Sequence, residues 1–188
     1  NKNAAEEMVA AIIESQIVKK KNSLLGLATG RTMESVYSLL IKKHQENNLD
    51  FSDVSTVNLD EYVGLQPSHP QSYRYYMDDH LFSKVNVQEK NTHLPDGTAE
   101  DIPQECQRYE QLIQDLGGID LQLLGIGTDG HIGFNEPGSS LVSKTRIKTL
   151  TRQTVEQNGP IFGDNSMVPR HALTMGVGTI IESHKAIL

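Results

Sequence analysis

Apolar residues recur at helical spacing over positions 4 to 20, where Ala, Met, Val and Ile are interleaved with polar side chains. That segment closes on Lys19, Lys20 and Lys21, cations suited to the negative end of a helix dipole. SLLGLATG then reads as a short buried strand entering a glycine turn, and MESVYSLLIKKHQEN as a second amphipathic helix. STVNLDEYVGL repeats the logic: a β-rich stretch carries Asp60 and Glu61 at its carboxyl end before the chain breaks at Gly64 and Pro67. Helices are expected over 71 to 84 and 100 to 116, the second closed by Gly117 and Gly118. IDLQLLGIG follows as a near-continuous apolar strand, RIKTL as one further strand, and KAIL as the beginning of another.

Strands apolar on both faces and alternating with helices predict an α/β domain with an open, mostly parallel sheet covered on both sides by helices. The expectation is one domain over residues 1–188, with no repeat or linker, incomplete at both ends. Composition narrows the partners. A net charge of −7 disfavours nonspecific attraction to nucleic acid or anionic membrane, so an anionic ligand would need locally arranged donors. No stretch approaches the roughly 20 apolar residues of a membrane span, and NKNAAEEMVA lacks the apolar core of a secretory signal. Cys106 has no cysteine partner for a disulfide or a structural zinc site. A cytoplasmic protein is the expectation.

Three polar clusters fall at strand carboxyl ends, where open parallel sheets bind ligands. Thr29-Gly30-Arg31-Thr32 sits between a strand and a helix, a place that favours phosphate or carboxylate. It matches neither the GxxxxGK[ST] nor the GxGxxG pattern, and on its own an ordinary turn capped by Thr32 is the better reading. In NLDEYVGL an extended backbone would turn only one of Asp60 and Glu61 toward a site, where a desolvated carboxylate serves as a general base. A solvated strand end is the plainer alternative. GIGTDGHIGFNEP places Asp129 two residues before His131 and Glu136 five after it, and an imidazole flanked by carboxylates suits acid–base work near neutral pH. A loop histidine with a merely structural role, or a metal ligand lacking a second histidine, are the competing readings.

NLDEYVGL, LLGIGTDGHIGFNEPGSSL, KTRIKTLT and VPRHALTMGVGTI together resemble the glucosamine-6-phosphate deaminase/isomerase family, along nearly the whole chain. The resemblance implies a Rossmann-like α/β fold and conversion of glucosamine 6-phosphate to fructose 6-phosphate and ammonia, with no cofactor and no metal. It also implies roles. Asp60 corresponds to the base that moves a proton between C2 and C1, His131 to the group that opens the sugar ring, and Asp129 and Glu136 to the carboxylates that orient it. Thr29, Gly30, Arg31 and Thr32 correspond to the phosphate loop. Ser139, Arg146, Lys148 and Thr149 match an allosteric site that family members, often homo-oligomers, carry at subunit contacts; for Arg146 and Lys148 an exposed strand face with alternating charges is an equal reading.

Two positions depart from the pattern. Arg31 brings a bulky cation into the phosphate loop, and Pro160 stands where the family generally has an arginine that grips the phosphate. Three further readings follow: a galactosamine-6-phosphate deaminase/isomerase, a hydrolase like 6-phosphogluconolactonase, and a sugar-phosphate sensor that has lost turnover. All depend on Asp60 and His131 facing one crevice above the sheet.

Overall fold

The computed structural model describes residues 1–188, the side chain of residue 157 excepted. Along the chain run α1 (Lys2–Lys19), β1 (Leu24–Leu27), α2 (Arg31–Asn47), β2 (Ser55–Asn58), β3 (Asp60–Tyr62) and α3 (Tyr73–His80). Then come β4 (Thr92–His93), α4 (Ile102–Asp115), β5 (Leu121–Leu123), β6 (Arg146–Thr149), α5 (Arg152–Phe162), β7 (His171–Thr174), α6 (Val177–Ile181) and β8 (Ala186–Ile187). Among the described residues no helix is long and apolar enough to cross a membrane.

Five strands form a parallel sheet in the order β4-β2-β1-β5-β8. All four residues of β1 are buried, as a strand covered on both faces requires. The chain leaves β1 first toward β2 and later toward β5, so the carboxyl ends of β1 and β5 flank the point where the winding reverses. Helices α1 and α2 pack on one another through Ala10, Ile13, Ile17, Val36, Tyr37 and Leu40, which join the strand residues in one core. The Tyr109 hydroxyl of α4 donates to the carbonyls of Asn58 and His93 at 2.8 and 3.3 Å, tying that helix to the ends of β2 and β4.

A second sheet, antiparallel and ordered β3-β7-β6, departs from the sequence expectation. NLDEY is not one strand: β2 stops at Asn58, and β3 starts at Asp60 in the other sheet. Leu59 joins the two, its N–H donating to the Leu27 carbonyl at 3.0 Å and its own carbonyl accepting from Met175 at 2.6 Å. RIKTL becomes β6, paired with β7 in this small sheet and not with the parallel one. The expected strand IDLQLLGIG is ordered as β5 only over Leu121–Leu123, and the helix expected over 71 to 84 gives way after His80 to a short 3-10 turn, Phe82–Lys84. Helix α5 was not expected from the sequence: it contains Gly159 and Pro160, and it begins under a Thr151 side-chain cap.

Candidate active site

Where β1 and β5 end, the turn at 28–30 with the first residues of α2, and the loop at 124–136, open a cleft of about 430 Å³. Its lining includes Thr29, Gly30, Arg31 and Thr32 at the start of α2, Asp60 of β3, and His131 and Glu136 of the third cluster. Asp60 and His131 therefore face one cavity. Thr154 and Asn158, one turn apart on α5, and Tyr73 of α3 also line it.

Asp60 is 6% exposed, and among the described residues no hydrogen bond to its carboxyl offsets that burial. Desolvation, and then the neighbouring charge of Glu61, push its carboxyl up to about 8. Its cross-strand partner is Thr174, whose Oγ1 accepts the Phe134 N–H at 3.2 Å. Gly133 lies between them with φ +57°; a Cβ there would stand 3.1 Å from both Asp60 Oδ2 and Thr174 Oγ1. A bare backbone is what lets the 131–136 loop pass so close to the carboxyl.

That loop is held by its own amide. Asn135 Nδ2 donates to the carbonyls of Ile132 and Met175 at 2.9 and 2.8 Å, fastening the loop to the end of β7. His131 Nδ1 lies 2.6 Å from Asp129 Oδ1, and the same oxygen accepts the His131 backbone N–H at 3.2 Å. That backbone N–H, and then the ring, hold the Asp129 carboxyl below the ordinary range. With Nδ1 engaged by a carboxylate, Nε2 is left to exchange a proton with a ligand. Asp129, His131 and Glu136 each offer one donor atom within 4.8 Å of the others, a grouping that could receive a cation as well as orient an imidazole.

At the phosphate loop Gly30 has φ +110°, and its carbonyl accepts the Tyr76 hydroxyl at 2.9 Å. Arg31 is exposed at the cleft mouth and is the one permanent cation among the described residues lining it. Pro160 is exposed on α5 and lies outside the lining, which takes Asn158 from the same helix. Ser139, Arg146, Lys148 and Thr149 also lie outside the cleft. Arg146 and Lys148 share one half-buried face of β6, with Ile147 and Thr149 exposed on the other. Sequence reasoning missed Tyr73, Thr154 and Asn158, which belong to none of the three polar clusters at strand ends. It also gave no role to Thr174, although the strand that holds it lies in a quoted motif.

The model for glucosamine-6-phosphate isomerases/6-phosphogluconolactonase matches residues 2–187. The chain belongs to this family. It is 49% identical over its full length to a glucosamine-6-phosphate deaminase of Geobacillus sp., covering 75% of that protein, and 52% identical to one of Arthrobacter sp. over 96% of this chain and 70% of that one. A solved structure described as a monomeric glucosamine-6-phosphate deaminase superposes with a TM-score of 0.96 at 45% identity, covering 99% of this chain and 77% of the other. A 6-phosphogluconolactonase from Thermotoga maritima superposes with a TM-score of 0.66 at 21% identity, over 91% of this chain and 72% of that one, a likeness of fold.

Proposed function

We propose that the chain is a glucosamine-6-phosphate deaminase working by general acid–base catalysis. The observation that carries the reading is the shared cleft of Asp60 and His131, with an anion-receptive loop at its edge. The sugar phosphate lies with its phosphoryl group on the N–H groups at the start of α2 and on Arg31. His131, oriented by Asp129, hands a proton to the ring oxygen and opens the pyranose. Asp60 then takes the C2 proton of the open-chain aldehyde and returns it to C1 while a proton passes from the amine to O1, leaving a hydroxyl at C1 and an imine at C2. Water adds to that imine, the C–N bond breaks, and ammonia leaves as C2 becomes the ketone of fructose 6-phosphate.

A base whose proton affinity is raised by burial fits abstraction from carbon better than an ordinary carboxylate does. Orienting two groups within one cleft supplies much of what such a transfer requires. The relatives' names and the carboxylate–imidazole–carboxylate cluster support the same reading, which carries with it a cytoplasmic enzyme and a small amino sugar phosphate as partner. An effector site at Ser139, Arg146, Lys148 and Thr149 belongs to the proposal only for an assembled homo-oligomer, and the solved 45% relative is described as monomeric. The test is ammonia release from glucosamine 6-phosphate, run beside galactosamine 6-phosphate and beside hydrolysis of 6-phosphogluconolactone. Preferred release from the gluco substrate is expected. Lactone hydrolysis without ammonia, or ligand binding without either product, would overturn the reading.

A further inference from the structure

Glu61 follows Asp60 in β3, and the alternation of an extended strand sends their side chains to opposite faces. Asp60 lines the cleft; Glu61 lines a separate hollow behind it, with Arg74, His93, Asp96 and Arg108. Buried at 4% exposure, the Glu61 carboxylate is fully engaged. Oε1 accepts the N–H groups of Tyr62 and Tyr73 at 2.8 and 2.9 Å, and Oε2 accepts that of Arg74 at 2.9 Å. Tyr73 and Arg74 open α3, where unpaired N–H groups and the helix dipole favour a negative charge. The next N–H, of Tyr75, goes to the Ser72 side chain, so the helix start is secured by two residues.

The contacts then return to the cleft. Tyr73 lines it beside Asp60, and its ring stacks on Phe134 at 6.3 Å and 13°. The Phe134 N–H reaches Thr174, which pairs across the small sheet with Asp60. The Glu61 carboxylate is thus answered by backbone N–H groups and not by a cation: Arg74 pairs with Asp78, and Arg108 with Glu105.

We propose that Glu61 is a positioning residue for the proton transfer at Asp60. It anchors the start of α3 to the back of β3, so that Tyr73 forms the cleft wall beside the base, and it stands behind that base as a carboxylate whose charge three backbone N–H groups support against the burial that raises its proton affinity. The inference rests on Asp60 being the base. Around Asp60 the titratable neighbours are Glu61 and Tyr62 of β3, Tyr73 of α3 and Tyr109 of α4, with His131, Glu136 and Arg31 across the cleft. Around Glu61 they are Arg74, His93, Asp96 and Arg108. Burial is the larger cause of the raised Asp60 proton affinity and Glu61 the second, so the geometry and the titration point the same way.

Ammonia release by wild type, Glu61→Gln, Glu61→Asp and Asp60→Asn, followed over the pH range in which carboxylates and imidazoles titrate, tests this. Glu61→Gln keeps an acceptor for Tyr62 and Tyr73 but removes the charge, and the acid limb of kcat should move down by about one pH unit. Glu61→Asp keeps the charge and shortens the reach, so the limb should stay in place while kcat falls roughly tenfold as Tyr73 loses its anchor. An acid limb in folded Glu61→Gln coincident with wild type overturns the proposal. Should Glu61→Gln fail to fold, undiminished kcat in Glu61→Asp overturns it instead. Asp60→Asn separates the two ideas: retained turnover there would sink the assignment of the base itself.

Discussion

Gly127 lies directly against the imidazole of His131: a Cβ at this position would overlap Cε1, Nδ1 and Nε2 of the ring. Its φ is not positive, so the constraint is one of space and not of backbone strain. Gly127→Ala should therefore displace the ring and leave the fold in place. The expected loss in kcat is on the order of 100-fold with a melting temperature close to wild type, measured by ammonia release and thermal denaturation.

A base whose carboxyl is pushed up to about 8 works only in its deprotonated form, so kcat/KM should rise with pH, reach half its maximum near 8 and level off above it. Asp60→Asn should reduce turnover by roughly 10²–10⁴-fold while substrate still binds. The same substitution has a signature in stability. The folded protein holds the Asp60 proton more tightly than the unfolded chain, whose carboxyl has the ordinary value of 3.8. That contribution is full at acidic pH and is lost as pH rises from 3.8 toward about 8. Asp60→Asn should accordingly stabilise the fold by a few kcal/mol, as an order of magnitude, at pH 8, and by little near pH 4, as denaturant melts at the two pH values would read.

Asp129 fixes the proton of His131 on Nδ1 through a 2.6 Å contact. Asp129→Asn preserves size but can offer an N–H to the same nitrogen, favouring the wrong tautomer. Turnover should fall by roughly 10²–10⁴-fold with KM little changed, read from steady-state kinetics.

Arg31 is exposed and touches the substrate, on the present reading, only through phosphate. Removing it as Arg31→Ala should raise KM about tenfold and change kcat less, because the lost contact serves ground and transition states alike. Inorganic phosphate should weaken as a competitive inhibitor in parallel, which inhibition kinetics would show.

The parallel sheet was legible because the apolar run of β1 leads straight into the amphipathic α2, and β5 lies in the apolar stretch IDLQLLGIG behind α4, signals contained within short windows. The antiparallel sheet was not, because β3 finds its partner β7 more than a hundred positions later and no local pattern encodes that pairing. Helix α5 was hidden for a different reason: Gly159 and Pro160 are poor helix formers, tolerated here near the end of the helix, before Gly163 closes it. At the site, Asp60, His131 and Arg31 stood out because charge, glycines and strand ends coincide around them. Asn158 and Tyr73 reach the cleft only through tertiary packing. Glu61 was distinguishable from Asp60 only as one of an alternating pair, and which of the two faced the cleft required the fold.

The base is carried by the small sheet, whose apolar cluster of Tyr62, Leu150, Val155, Val168 and Ala172 is separate from the main core. Local openings start where the least apolar surface is packed, and here such an opening would tilt Asp60 out of line while the parallel strands stay assembled. Under mild denaturant or warming, catalytic competence should fade ahead of the bulk fold, leaving a population that still looks native by helix content but no longer turns over.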